Sequence, residues 1–157
     1  MTMRILVDAM SGDNAPLEIL KGASLAAKEY KEHEILLVGD QNVISHVAVT
    51  NDIDITGIEI VHADTVINME DNPICVVRDK RNSSMSIGLK TLSQGKVDAF
   101  VSAGNTGALI TGATIKVHKD MGKADNTRIE LKKLDYTLQH IKENTLDTKD
   151  VFVTQVQ

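Results

Sequence analysis

The sequence has few of the residues that usually indicate a redox, zinc or nucleic-acid function. Among its 157 residues there is one cysteine, Cys75, so an internal disulfide is excluded and a cysteine-based zinc site is not expected. Two tyrosines, two phenylalanines and no tryptophan require an aliphatic core and argue against base stacking on aromatic side chains. The net charge of −5 also argues against a nucleic-acid partner.

Long hydrophobic runs are absent as well. No apolar run approaches the roughly 18 residues of a membrane span, and the first residues do not have the pattern of a signal peptide. Hydrophobic residues make up 42% and charged residues 25% of the chain, which is typical of a globular protein. We therefore expect a soluble, cytoplasmic protein.

Short apolar runs alternate with amphipathic stretches over the first three quarters of the chain. The apolar runs predict buried strands at residues 4–9, 34–39, 58–62 and 97–102. Helices are expected over residues 17–31, 41–49, 74–94 with an interruption near 82–84, and 107–117. Asp13 or Asn14 is expected to cap the first helix and Asp40 the second, and Gly95 to follow the third. This alternation predicts an α/β fold, a parallel sheet with helices on both faces.

The composition changes near residue 118, because nine of the ten glycines lie before it. We expect residues 1–117 to form the N-terminal part of an α/β domain and residues 118–157 to form a separate tail. In the tail, the pattern predicts a helix from Arg128 to about Glu143 and a strand from Asp150 to Val156. The helix would either cover the domain with an apolar stripe or project into solvent. The stripe consists of Ile129, Leu134, Leu138 and Ile141.

A first candidate site follows the first strand. Asp8 and Asp13 supply carboxylates there, Asn14 supplies an amide, and Gly12 permits a tight turn or the close approach of a ligand. Ligands of open α/β sheets bind at the carboxyl ends of strands, where this segment lies. The alternative is a capped turn between a strand and a helix with no role in binding.

A second candidate site follows the fourth strand, at residues 102–107. Backbone amides of a glycine-rich loop at a helix start can bind an anion, and Ser102, Asn105 and Thr106 add polar side chains. Gly104 and Gly107 let the backbone approach a phosphate. The segment is neither a Walker A nor a G-x-G-x-x-G sequence, so nucleotide binding is only weakly supported. A plain glycine-rich connection is the alternative.

A third candidate is the cationic segment of Arg78, Lys80 and Arg81. These side chains could hold a phosphate or an acidic carrier protein, although a solvated helix face is the alternative. The nearby Cys75 lies among apolar residues and is expected to be a buried, unreactive side chain.

These segments together resemble the PlsX-type phosphate acyltransferases. The resemblance is carried by residues 3–16, 69–73, 78–85 and 97–108, in family order and at family-like spacing, and it covers residues 1 to about 117. It implies an α/β/α sandwich related to isocitrate dehydrogenase and phosphate acetyltransferase. It also implies transfer of a fatty acyl group from acyl-carrier protein to inorganic phosphate, giving acyl phosphate for phospholipid synthesis. The implied enzyme is a homodimer without metal or organic cofactor, and some members associate peripherally with membranes.

On this resemblance Asp13, Asn14 and Asn105 are candidate catalytic residues. The candidate substrate-binding residues are Gly12, Arg78, Lys80, Arg81, Ser102, Gly104, Thr106 and Gly107. Two departures stand out. Ser11 replaces a glycine usual in the family. The family chain is about twice this long and residues 118–157 match nothing in its pattern, so we expect a truncated, frameshifted or fused form. The alternatives are a non-catalytic fragment acting as a binding or dimerisation module, and an acyltransferase that uses a coenzyme A donor.

Overall fold

The structure is a computed structural model that describes residues 2–117 and the backbone of residues 128–131 and 150–153. Its strands are β1 Arg4–Asp8, β2 Glu34–Gly39, β3 Glu59–His62, β4 Ala99–Ser102, β5 Arg128–Leu131 and β6 Asp150–Val153. Its helices are α1 Leu17–Glu29, α2 Gln41–Thr50, α3 Ser84–Ser93 and α4 Thr106–Gly112. A 3₁₀ turn at Pro73–Val76 precedes α3, and a π turn at Ala113–Val117 follows α4.

All strand pairs are parallel, in the order β3-β2-β1-β4-β6-β5. The chain winds outward from β1 through β2 to β3 and then crosses back, so that β4 lies on the other side of β1. The direction of winding therefore reverses between β1 and β4. In open parallel sheets this reversal leaves a crevice at the carboxyl ends of the two strands, where ligands bind.

Helices cover both faces of the sheet, as the sequence predicts. Alternate strand residues point to opposite faces, so Leu6 and Phe100 belong to one core and Ile5 and Ala99 to the other. The first core packs α3 and α4 against the sheet, and the second packs α1 and α2. The α/β architecture is thus confirmed, with a mostly aliphatic core on each face and Phe100 buried in the first core.

Helix boundaries are fixed at three points that the sequence predicts, two by polar side chains and one by a glycine. The Asp40 carboxylate accepts hydrogen bonds from the backbone amides of Asn42 and Val43, and so caps α2. The expected interruption near residues 82–84 is present, since Ser83 caps α3 by accepting from the Ser86 amide. Gly95 follows α3 with a φ of 67°, the left-handed conformation that favours glycine.

Two local predictions are wrong. Neither Asp13 nor Asn14 caps α1, because residues 12–15 close a backbone turn in which the Ala15 amide donates to the Gly12 carbonyl. The helix expected from Arg128 is replaced at its start by β5, which takes a place in the sheet through parallel pairing with β6. A strand is present at Asp150–Val153, within the expected range. Leu134, Leu138 and Ile141 of the proposed stripe lie outside the described residues.

Candidate active site between β1 and β4

The two loops singled out in the sequence lie against each other at the winding reversal. A Cβ added to Gly104 would come within 2.8 Å of the Ser11 hydroxyl oxygen and 2.9 Å of the Ser11 Cβ. A Cβ on Gly12 would lie 3.4 Å from the Ala103 Cβ. Gly104 is therefore required because the opposite loop leaves no room for a side chain. The segments after β1 and β4 form one site rather than two.

The buried carboxylate of Asp8 joins these two loops. Asp8 ends β1 and is 1% exposed. Its Oδ2 accepts hydrogen bonds from the hydroxyls of Ser11, at 2.6 Å, and Ser102, at 2.9 Å. Its Oδ1 accepts from the Met10 backbone amide at 3.2 Å. The Ser102 oxygen in turn accepts from the Gly104 amide at 3.2 Å. A continuous chain of hydrogen bonds thus runs from the first loop through Asp8 to the second.

Burial raises the pKa of Asp8 above its usual range, while the surrounding hydroxyls and the Met10 amide act in the opposite direction. Ser84, the first residue of α3, contributes to this lowering effect. Its hydroxyl makes no hydrogen bond of regular geometry and is the only buried side-chain polar atom without a partner in the described part of the chain. Three serine hydroxyls from three different elements therefore surround one buried carboxylate.

Ser11 is accommodated without strain. The left-handed position of this turn is Gly12, with a φ of 117°, and Ser11 does not have a positive φ. Its side chain is buried, at 3% exposure, and its hydroxyl is directed to Asp8. The Ser11 side chain therefore adds a hydrogen bond to the site.

The Asn105 side chain is fully used within the protein. Its Oδ1 accepts from the Ala108 amide at 3.0 Å and so caps α4. Its Nδ2 lies 3.1 Å from each of the carbonyl oxygens of Asn68, Met69 and Asp71. Because the amide has two hydrogens, it can saturate at most two of these carbonyls at once. Asn105 thus fastens the loop of residues 66–72 to the start of α4.

Lys80 holds the same loop from its other side. Its ammonium group donates to the Val66 carbonyl at 3.0 Å and pairs with the Asp71 carboxylate at 2.5 Å. This contact holds the pKa of Asp71 below its usual range. Lys80 is thus engaged inside the protein, and the three cations of the sequence cluster differ in their surroundings.

Arg78 and Arg81 are both exposed. The Arg81 Nε donates to the carbonyls of Val77 and Arg78, which holds its side chain along the segment before α3. No hydrogen bond or ion pair of the Arg78 side chain is found within residues 2–117. These two side chains are the part of the cluster that a partner could reach.

The remaining predicted site residues lie around the mouth of the site. Gly12, Asp13 and Asn14 are exposed on the loop after β1. Thr106 and Gly107 are the first two residues of α4, and a Cβ on Gly107 would come within 2.8 Å of the Pro73 Cγ. Gly107 is therefore required for packing against the 3₁₀ turn. The structure brings every predicted site residue except the three cations to the loops that meet at β1 and β4.

Within residues 2–117, no three His, Cys, Asp or Glu side chains lie close enough together to hold a metal ion. Cys75 is buried, and burial raises the pKa of its thiol, as expected for an unreactive side chain. Among the helices that the structure describes, none is long and apolar enough to cross a membrane.

Comparisons of the sequence with known proteins identify a family. A family model described as "Fatty acid synthesis protein" matches residues 3–125. This chain belongs to the PlsX-type phosphate acyltransferase family. The phosphate acyltransferase of Caldicellulosiruptor bescii is 39% identical over 156 residues, which are 98% of this chain and 46% of the relative. Those of Thermotoga neapolitana and Thermotoga maritima are each 50% identical, over 76% and 74% of this chain and 33% and 32% of the relatives.

The chain spans between about a third and a half of the length of these phosphate acyltransferases. The family model extends eight residues beyond residue 117, and the Caldicellulosiruptor match takes in most of the segment after it. The boundary expected near residue 118 stays a prediction.

Sequence reasoning places Asp8 at the first candidate site but misses that it joins the two loops, and it misses the contributions of Ser11 and Ser84. The signal for Asp8 was present, because a charged residue at the end of an otherwise apolar strand is buried only when it has partners. Ser84 carried no comparable signal. A serine at a helix start is usually explained by capping, and the capping residue of α3 is the neighbouring Ser83.

Proposed function

We propose that this chain takes part in the transfer of a fatty acyl group from acyl-carrier protein to inorganic phosphate, the step that supplies acyl phosphate for phospholipid synthesis. The observation that supports this best is the junction of the two family segments through Asp8 at the winding reversal of the sheet. Family membership supports the reaction class, and this geometry supports a phosphate site where the two loops meet.

In this reaction a phosphate oxygen attacks the thioester carbonyl carbon. The carbon–oxygen bond forms, the carbon–sulfur bond breaks, and the carrier protein leaves as a thiolate that takes up a proton. No covalent enzyme intermediate is needed, because holding phosphate and thioester in a reactive orientation accounts for much of the acceleration. The site must also stabilise the negative charge that develops on the carbonyl oxygen.

The groups proposed to contact the reactants are those left without internal partners. The amides of Thr106 and Gly107 lie in the first turn of α4, where a helix supplies no acceptor of its own. The Thr106 hydroxyl is on the same turn, and Asp13 and Asn14 face solvent on the opposite loop. Asn105 contributes by fixing the first turn of α4 rather than by touching phosphate.

The carrier protein is proposed to dock on the exposed guanidinium groups of Arg78 and Arg81, since carrier proteins of fatty acid synthesis are acidic partners. Reversing both charges, in Arg78→Glu/Arg81→Glu, should slow carrier association and weaken its dependence on salt. The matched control is Lys21→Glu, which reverses an exposed charge on α1, on the other face of the sheet. Carrier association unaffected by the double reversal, measured by surface plasmon resonance at two salt concentrations, would remove this docking surface.

We further propose a cytoplasmic homodimer with peripheral membrane contact, on the strength of the family resemblance. The assay for the whole proposal is acyl phosphate formation by the full chain from acyl-carrier protein and inorganic phosphate. Turnover with acyl-coenzyme A in place of the carrier thioester would favour the alternative donor. Absence of turnover with every acyl chain and both donors would favour the non-catalytic module.

A further inference from the structure

The hydroxyl protons of Ser11 and Ser102 are committed to Asp8. Both hydroxyl oxygens lie within hydrogen-bond distance of the same carboxylate oxygen, Oδ2. The other oxygen, Oδ1, faces the Met10 amide, which can only donate. A proton on Oδ1 would oppose this amide, so the full set of contacts is satisfied by the ionised carboxylate. Each serine then has only lone pairs left to offer.

This orientation determines what Ser102 can do. Its proton points down to Asp8 and its lone pair accepts from the Gly104 amide. A phosphate oxygen needs a donor, and in this arrangement Ser102 has none to give. Ser102 therefore acts as a link between the end of β1 and the glycine of the loop after β4.

We propose that Asp8 is a positioning residue that shapes the phosphate site by orienting Ser102 and Ser11, and that Ser102 links Asp8 to the Gly104 amide instead of binding phosphate directly. The proposal rests on the proposed function for the identity of the anion. It assigns no contact between Asp8 and the reactants, since Asp8 is buried beneath both loops.

The test is a double-mutant cycle on the full chain, with the dissociation constant of inorganic phosphate measured by calorimetry. Asp8→Asn preserves the side-chain shape but places an amide hydrogen against a donor, and Ser102→Ala removes the link. Each single change should weaken phosphate binding about fivefold, the effect of one hydrogen bond of ordinary strength. Both changes break the same chain of contacts. The dissociation constant of phosphate in the double variant should therefore be no higher than that of the single variant with the higher constant.

Effects that multiply in the double variant would show that Ser102 acts independently of Asp8 and would overturn the proposal. So would a phosphate affinity of Asp8→Asn within twofold of the wild type. The matched control is Asp40→Asn, at the end of β2, where asparagine caps a helix as well as aspartate does. Its phosphate affinity should equal that of the wild type.

A further variant, Ser11→Ala, keeps the Cβ that faces Gly104 and removes only the hydroxyl. It should weaken phosphate binding less than Ser102→Ala, because no backbone amide of the second loop depends on it. A larger loss in Ser11→Ala than in Ser102→Ala would contradict the proposed route through Gly104.

The outcomes separate this inference from the proposed function. Coupled losses of phosphate affinity in a chain that forms no acyl phosphate would uphold the positioning role and reject the acyl-transfer proposal. Acyl phosphate formation together with additive losses of phosphate affinity would uphold the acyl-transfer proposal and reject the positioning role. In an active chain, the variants should raise the KM for phosphate more than the KM for the acyl donor, whereas a general loss of folded protein would lower kcat alone. A wild-type chain that does not bind phosphate would overturn both.

Discussion

Replacing Asn105 with alanine should destabilise the protein far more than the loss of an ordinary helix cap. The change removes the cap on the Ala108 amide, which is worth about 1 kcal/mol. It also removes an amide group whose two hydrogens are shared among the carbonyls of Asn68, Met69 and Asp71. Two hydrogen bonds at about 1 kcal/mol each bring the expected loss of unfolding free energy to about 3 kcal/mol.

Asp40→Ala provides the matched comparison. It removes a cap at the equivalent position after β2, where the carboxylate accepts from two amides and holds no other segment. Its expected cost is about 1 kcal/mol. Urea unfolding of the full chains, followed by circular dichroism, gives both values. The difference between the two variants measures what Asn105 contributes by fastening the loop of residues 66–72.

A local measurement distinguishes this loop from the rest of the protein. Met69 is 66% exposed and Glu70 is exposed beside it, so a protease that cuts after glutamate can reach the loop once it opens. Cleavage after Glu70 should be faster in Asn105→Ala than in the wild type, and unchanged in Asp40→Ala. The reasoning is refuted if Asn105→Ala costs no more than Asp40→Ala and its loop is cut at the wild-type rate.

Three other predictions concern Asp8, two helical glycines and the segment after residue 117. Burial raises the pKa of Asp8 in the folded protein above its ordinary value of 3.8, so its contribution to stability is greatest below that pH and declines as the pH rises through the folded value. In urea unfolding, the wild type should therefore lose stability relative to Asp8→Asn as the pH rises from about 4, and parallel profiles would contradict this. Gly88→Ala should cost about 1–3 kcal/mol because its Cβ would overlap the Phe100 ring. Gly22→Ala, on an open helix surface, should stabilise the protein by about 1 kcal/mol. Changes of the same sign in the unfolding free energies of the two variants would refute the packing argument. Deleting residues 118–157 removes β6 from the edge of β4 and should cause aggregation, whereas a soluble, cooperatively folding remainder of unchanged oligomeric state would show that the segment protects nothing.

The order of strands and helices was readable from the sequence because each element carries its own local signal. The apolar run of β2, the Asp40 cap and the glycine after α3 each depend on residues close together in the chain. The absence of a side-chain cap on α1 could not be predicted from such local signals. Asp13 and Asn14 are both good capping residues, but the backbone turn of residues 12–15 places them before the helix start. Capping propensity therefore mispredicts the start of α1, where a backbone carbonyl accepts from the Ala15 amide.

The site was predictable as two loops but not as one network. Both loops carry glycines and polar side chains after strands, and the ligand rule for parallel sheets places them at the same edge. Which residues contact each other depends on β1 and β4 being neighbours in the sheet. These two strands are about ninety residues apart in the sequence, so no local pattern shows their pairing. Lys80 is a separate case. The charge pattern groups it with two exposed arginines, and only the folded path of the chain brings it to Asp71, nine residues earlier.

The complementarity between Ser11 and Gly104 bears on the proposed chemistry. A side chain at position 11 is tolerated because position 104 has none, and a Cβ at both positions would bring the loops into collision. Ser11 in exchange gives Asp8 a second hydroxyl donor at 2.6 Å. A buried carboxylate without donors would be costly, and each added hydroxyl favours its ionised form. Ser11 therefore helps to satisfy the same carboxylate that holds Ser102 and the loop after β4 in place.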